Sequence, residues 1–326
     1  MVKIAILDDY QDCARSMADW SLLKDAEITA FRDHLFDEAA VAERLKPFDV
    51  VCAMRERTAF PATLLEKLPN LKLIATTGMW NAAIDIEAAK ARGITVCGTL
   101  APETPTAELT WALILALTRN IPTEANSIRN GGWQATVGSD VAGRTLGILG
   151  LGRLGTKVAK VGLAFGMKVI TWSQNITDER AAAAGARMVT KEELFREADI
   201  LSVLVILSGR TRGLVGAAEL ALMKPTAYLV NTARGPIVDE AALIEVLRNK
   251  KIAGAAIDVY ELEPIAADHP FRTLPNLVAT GHIGYVSQDT YRQFWGETVE
   301  NIAAFLKGAP IRVIGQGGYR SAYDKQ

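Results

Sequence analysis

Thr145-Leu146-Gly147-Ile148-Leu149 reads as an apolar strand that runs straight into Gly150-Leu151-Gly152-Arg153-Leu154-Gly155, after which a helical pattern continues through Val158, Ala159 and Leu163. Three glycines so spaced between a strand and a helix leave few folds open. The first suits a tight turn, the second lets backbone approach a ligand without a Cβ in the way, and the third lets helix and strand pack closely. A helix beginning there aims unsatisfied N–H groups and the positive end of its dipole at a pyrophosphate. The expectation is a dinucleotide, NAD or NADP, held by Gly150, Gly152, Arg153, Leu154 and Gly155.

The rest of the chain fits that motif. Short β-branched runs at Lys3–Leu7, Ile28–Phe31, Val50–Met54, Leu71–Thr76 and Ile94–Cys97 alternate with helical patterns and predict a doubly wound parallel sheet. The rhythm restarts at Thr145–Leu149 and continues at Lys168–Thr171, Ile200–Leu207, Ala227–Asn231, Ala253–Val259 and Leu277–Thr280, predicting a second parallel sheet of six strands. One long apolar helix, from about Thr106 to Ile128 and opened by Pro105, is expected to carry the chain from the first lobe to the second. After His282 an amphipathic stretch, Gln288–Leu306, is too small to be a domain and is expected to pack back on the first lobe. The predicted class is α/β with two doubly wound domains. A Rossmann dinucleotide-binding domain covers 101–286, and a discontinuous, flavodoxin-like substrate domain covers 1–100 with 287–326.

Composition narrows the function. With 326 residues, two cores are expected. The 36 basic and 37 acidic residues give a net charge of -1 without long runs of either sign, which excludes an electrostatic footprint for nucleic acid or an anionic membrane. A small molecule is the favoured partner. Cys13, Cys52 and Cys97 are too few and too widely spaced for a zinc site or a disulfide scaffold, so no metal is expected and the thiols read as structural, in a reducing compartment. The N-terminus enters a strand directly and no apolar run reaches about 20 residues, which predicts a cytoplasmic protein.

Three polar residues stand at or just past the ends of successive predicted strands, where ligands gather in open α/β sheets. Arg234 closes Leu229-Val230-Asn231-Thr232-Ala233 with no carboxylate near it in sequence, and its fork suits a substrate carboxylate. Among Asp258, Glu261 and Glu263 of the next loop, composition alone makes no choice, although Glu261 reads most simply as solvated. His282 follows the last strand, whereas His34 and His269 lie in segments typical of surface loops. Reduction of a ketone needs a proton donor tuned near neutral pH, and an imidazole paired with a carboxylate meets that need.

Asn231-Thr232-Ala233-Arg234-Gly235, Asp258-Val259-Tyr260-Glu261-Leu262-Glu263-Pro264 and His282-Ile283-Gly284 follow the glycine motif in order. In this the chain resembles the D-isomer-specific 2-hydroxyacid dehydrogenases over nearly its whole length. The resemblance implies hydride transfer between NAD(P)(H) and the 2-carbon of a small 2-hydroxy or 2-keto acid. It makes Arg234 the clamp on carboxylate and carbonyl, His282 the general acid/base and Glu263 the group that holds and charges the histidine. It also implies that the backbone around Gly78 and Met79 meets the substrate carboxylate, that Thr232, Ala233 and Asp258 face the nicotinamide, and that nucleotide domains pair in a homodimer. Departures from the family pattern fall at Trp80, Ala82 and Ala83, at Leu204 and Ile206, and at Gly281.

Two other readings use the same scaffold. One is a nucleotide-sensing, corepressor-like binding module, which the lack of long extensions disfavours. The other is a formate dehydrogenase-like enzyme, which Glu263 disfavours because that class carries glutamine there. For cofactor choice, the strand Val169-Ile170-Thr171-Trp172 ends in Ser173-Gln174-Asn175, with no carboxylate before Asp178 to hold a ribose 2′-hydroxyl or repel a 2′-phosphate. Ser173 and Gln174 are therefore expected to line the adenosine ribose, with NADP tolerated.

Overall fold

The computed structural model describes residues 1–102 and 104–315. Contacts divide the described residues into two compact units, Met1–Pro102 with 286–315, and 104–285; residues 316–326 of the expected substrate domain lie outside the described residues.

In the first unit, β1 (Val2–Ile6), β2 (Ala26–Ala30), β3 (Val50–Ala53), β4 (Leu73–Thr76) and β5 (Thr95–Cys97) form a sheet in the order β2-β1-β3-β4-β5. Every pairing is parallel. This is the doubly wound order of flavodoxin-like sheets. Alternate residues Ala5, Val51, Ala53, Ile74 and Val96 enter one apolar core with the flanking helices. The helix Gln288–Leu306 buries Tyr291, Phe294, Trp295, Val299 and Ile302, one stripe at helical spacing, against β4 and the single turn Trp20–Leu23.

The second unit has seven parallel strands: β6 (Thr145–Leu149), β7 (Lys168–Trp172), β8 (Arg187–Met188), β9 (Ile200–Val203), β10 (Tyr228–Asn231), β11 (Gly254–Ile257) and β12 (Leu277–Ala279). Their order is β12-β11-β10-β9-β6-β7-β8, the Rossmann order with one strand added at an edge. The direction of winding reverses at β6, so the turn after β6 opens into the crevice where such sheets take ligands. Period-two alternation sends Leu149, Leu201, Leu229 and Ala255 into one core, and Ile148, Ile200, Val230 and Ala256 into the other.

Three sequence expectations change. The second sheet has a seventh strand, β8, only two residues long. Ile200–Leu207 is a strand only as far as Val203. The single helix from Thr106 to Ile128 is two, α1 (Pro105–Thr118) and α2 (Ile121–Arg129). Asn120 between them is left-handed at φ 52°, a helix-ending conformation that asparagine tolerates, and Pro122 in the first turn of α2 has no N–H with which to extend α1. Both helices lie in the second unit, where α1 packs on α3 (Arg153–Ala164) and on β10, β11 and β12.

Candidate active site

Strands β10, β11 and β12 are neighbours, and parallel, so their C-terminal ends deliver the segments bearing Arg234, Glu263 and His282 to one edge of the sheet. His282 Nδ1 and Glu263 Oε2 are 2.5 Å apart, with the two side chains 18% and 26% exposed. That contact spends Nδ1 and leaves Nε2 as the nitrogen able to meet a substrate. Burial pushes the Glu263 carboxyl up, but the hydrogen bond and charge of His282, the Tyr260 N–H and the Arg234 charge outweigh it and hold Glu263 below the usual carboxylate range. Glu261, by contrast, is exposed and pairs with Arg212 at 3.2 Å.

Arg234 is positioned by a turn that Asn231 stitches from within. Asn231 Oδ1 accepts the Ala233 N–H at 3.1 Å and its Nδ2 donates to the Arg234 carbonyl at 3.1 Å. The Arg234 guanidinium donates to the Ala233 carbonyl at 2.8 Å. At Gly235 a Cβ would fall 1.9 Å from the Tyr260 carbonyl carbon, so only glycine lets the arginine turn lie against the loop that carries Glu263. Thr232 shares a 2.7 Å hydroxyl hydrogen bond with Thr110 of α1. Asn231 and Thr110 were not among the expected site residues. Nothing in sequence distance joins Thr110 to Thr232, whereas Asn231 at a strand end was readable as a turn former.

Asp258, at the end of β11, is 1% exposed. Its Oδ1 accepts from Thr280 Oγ1 at 2.6 Å and the Ile283 N–H at 2.8 Å, and its Oδ2 accepts the Gly284 N–H at 2.8 Å. Burial raises the Asp258 carboxyl above its ordinary range, against the pull of those bonds and of His282. The residue expected to face a nicotinamide is thus also tied to the His282 turn.

The glycine motif is built for a dinucleotide, and its three positions do three different things. Gly150 has φ +103°, and a Cβ there would meet Val205 at 2.7 Å. A Cβ on Gly155 would fall 2.3 Å from the Gly150 carbonyl oxygen, so this glycine sets how closely α3 approaches β6. A Cβ on Gly152 would meet nothing within 4 Å, so this glycine keeps open the space over the first turn of α3. No side chain caps that helix and no acid lies in its first turn, so its N–H groups and dipole face outward, as a pyrophosphate requires. Arg153 is the first residue of α3, whereas the Leu154 side chain packs on the core, which leaves its backbone rather than its side chain for a ligand. Ser173 and Gln174 follow β7 directly, Ser173 half-buried and Gln174 exposed.

Gly78 and Met79 follow β4 in the first unit. The Gly78 N–H donates to Thr99 Oγ1 at 2.9 Å, which leaves Met79 as the amide of that pair able to serve a ligand. Asn81 pins the same loop, donating to the Arg55 carbonyl at 2.7 Å and to Thr76 Oγ1 at 2.8 Å. Trp80 between them is 52% exposed.

His34 and His269 lie in loops, as their sequence context suggested, but their side chains are not exposed. His34 lies 2.9 Å from Asp8, and His269 3.0 Å from Glu240, both with side chains under one-fifth exposed. All three histidines are carboxylate-paired, and only His282 stands at the end of a strand beside Arg234 and Glu263.

Residues 111–284 match the model of the D-isomer specific 2-hydroxyacid dehydrogenase NAD binding domain. A glyoxylate reductase of Aeropyrum pernix is 41% identical over 255 residues, 75% of this chain and 76% of that protein. D-3-phosphoglycerate dehydrogenase of Bacillus subtilis is 37% identical over 84% of this chain but only 52% of its own length, so the chain spans about half of that relative. The solved phosphoglycerate oxidoreductase of Vibrio cholerae superposes with a TM-score of 0.90 at 38% identity, covering 95% of this chain and 100% of that one. The chain belongs to the D-isomer-specific 2-hydroxyacid dehydrogenase family, NAD(P)-dependent oxidoreductases that act on 2-hydroxy and 2-keto acids.

Proposed function

We propose that this chain interconverts a small 2-keto acid and the corresponding D-2-hydroxy acid, with Arg234, Glu263 and His282 as its catalytic set. The observation that carries the reading is the 2.5 Å contact between His282 and Glu263 beside Arg234, on the ends of three adjacent strands. Arg234 fits the substrate carboxylate and carbonyl oxygen through its planar fork. In reduction, His282 Nε2 gives its proton to the carbonyl oxygen as negative charge develops there, and Glu263 steadies the ring through Nδ1. The reduced nicotinamide, when bound, supplies the hydride that completes the new C–H bond at C2. The keto acid thereby gains one hydride and one proton. Running backwards, His282 accepts the hydroxyl proton.

In the same reading residues 101–286 hold the cofactor, through Gly150, Gly152, Gly155 and the backbone of Arg153 and Leu154, with Ser173 and Gln174 at the ribose and Thr232, Ala233 and Asp258 at the nicotinamide. Residues 1–100 and 287–326 form the substrate domain, where the Gly78–Met79 backbone meets the carboxylate, chiefly through the Met79 N–H. The enzyme works as a homodimer through its nucleotide domain, in the cytoplasm, where thiols such as the buried Cys52 and Cys97 stay reduced.

The test is turnover of a panel of 2-oxo acids, glyoxylate and acids with a carbon substituent at C2 among them, with NADH and NADPH, in the wild type and in His282→Asn, the D configuration being read on the chiral products. The variant is expected to keep cofactor binding and lose about 10²–10⁴-fold in turnover, the usual range for a general acid/base. A wild type inert on every keto acid, or a variant near full turnover, would overturn the assignment.

A further inference from the structure

We propose that Asp258 and Tyr260 are positioning residues for the acid–base histidine, holding from the end of β11 the turn Thr280–Gly284 that presents His282. The proposal rests on the role given to His282 above. Its starting point is the backbone of His282, which is left-handed at φ 53°. A residue with a Cβ rarely adopts that conformation, and it persists where surrounding bonds over-determine it.

Those bonds lie on both sides of the histidine. Asp258 takes the Thr280 hydroxyl before it and the Ile283 and Gly284 N–H groups after it. One carboxylate thus fixes the entrance and the exit of the turn, and three donors compensate for burying it. Tyr260 supplies a separate hold. Its hydroxyl donates to the Thr280 carbonyl at 2.7 Å, the same oxygen that accepts the His282 N–H at 3.1 Å. Its own N–H donates to Glu263 Oε1 at 2.9 Å, while Glu263 Oε2 holds the imidazole. One residue therefore fastens both partners of the pair, the glutamate through its backbone and the histidine turn through its phenol.

Tyr260 is itself anchored, 6% exposed, with its ring against Phe271 at a centroid distance of 6.2 Å and its backbone against Gly235. Proton transfer demands this rigidity, since a shift of about 1 Å costs on the order of 100-fold in rate. The groups around the imidazole are Glu263 on Nδ1, the Asp258 carboxylate and the Tyr285 ring at 5.7 Å, while the Tyr260 phenol bonds the Thr280 carbonyl and the Arg234 charge acts on Glu263. Slack in the turn alters the separation of the imidazole from its carboxylate, and so the pH dependence of turnover.

The experiment compares Tyr260→Phe, Asp258→Asn and His282→Asn for kcat, keto-acid KM, the pH–rate profile and cofactor Kd read by fluorescence titration. Tyr260→Phe removes one oxygen atom and keeps the ring. It should lower kcat about tenfold and Asp258→Asn about 100-fold. Keto-acid KM should change less than kcat, the limb of the pH profile that His282→Asn abolishes should move, and Tyr260→Phe should keep cofactor Kd within about twofold. Wild-type kcat and pH profile in Tyr260→Phe would overturn the proposal for Tyr260. A loss in Asp258→Asn confined to cofactor Kd would overturn it for Asp258, showing that this residue acts through the cofactor alone. Should Asp258→Asn fail to fold, Tyr260→Phe decides. If His282→Asn itself turns over normally, the role of His282 fails instead, and the two failures are told apart.

Discussion

A carboxylate that keeps its charge in the folded state makes stability depend on pH with a definite sign. The Glu263 carboxyl is lower in the folded chain than its ordinary value, so its contribution is complete above the unfolded value of about 4.3 and is lost as pH falls through the folded one. Glu263→Gln removes that contribution at neutral pH. Its melting temperature should therefore lie below the wild type's at pH 7, and the gap should close as both are titrated below about pH 4. A gap constant down to pH 3 in thermal melts would break the link between this proton and folding. The same residue shows what sequence could and could not say. The three strand-end residues were legible because βα folds place ligands there, but the choice of Glu263 over Glu261 came from resemblance, and only the folded loop shows Glu261 turned to Arg212. The pairing of His34 and His269 was not legible because their carboxylate partners, Asp8 and Glu240, lie 26 and 29 residues away in sequence. Cofactor choice is decided at the same scale. With no carboxylate directly after β7, the enzyme should prefer NADH by less than about 100-fold in kcat/KM, and Ser173→Asp should raise that preference by repelling the 2′-phosphate. A wild-type preference beyond 100-fold would show that another group excludes the phosphate.

Between β6 and α3 the three glycines can be separated by experiment, because the space around each differs. Gly152 has φ −84°, a conformation open to alanine, and its Cβ would project into free space. Gly152→Ala should leave the melting temperature within about 2 °C of wild type, as a strain-free site requires, yet weaken cofactor binding at least tenfold by standing in the phosphate's path. Gly155→Ala forces a Cβ towards the Gly150 carbonyl oxygen, and overpacking of this kind costs about 1–3 kcal/mol of stability. Calorimetry and cofactor titration on the two variants should give opposite patterns. Equal loss of stability in both would mean that the glycines serve only the turn. Elements with a strong local signal were legible in this way, including the glycine turn and eleven of the twelve strands. Strand β8 was not, since two residues, one of them Arg187, form a strand only because β7 offers an edge. The break between α1 and α2 was written in Asn120 and Pro122 but hidden under an apolar pattern that runs through both helices.

At the scale of the whole molecule the proposed homodimer needs a surface, and the second unit offers a candidate for it. Helix α2 buries none of its residues, and Ile121 and Ile128 on it are 53% and 54% exposed. In the irregular segment that follows, Trp133 is 78% and Val137 96% exposed. These four large apolar side chains fall within 17 positions of one chain, and exposed apolar surface is what an association would cover. A second copy suits them, because a two-fold pairing lets the same segment meet itself or its neighbour with one set of contacts. A net charge of -1 also sets little repulsion against the approach of two copies. Burying one tryptophan removes on the order of 150–250 Å² from water, so the aromatic should dominate the association energy. The wild type is expected to sediment at twice the 35.2 kDa chain mass at micromolar concentration. Trp133→Ser combined with Val137→Ser should raise the dimer dissociation constant at least tenfold, which corresponds to about 1.4 kcal/mol, without lowering the melting temperature of the monomer. A wild type that sediments as a monomer, or a double variant that dimerises unchanged, would remove this surface from the interface.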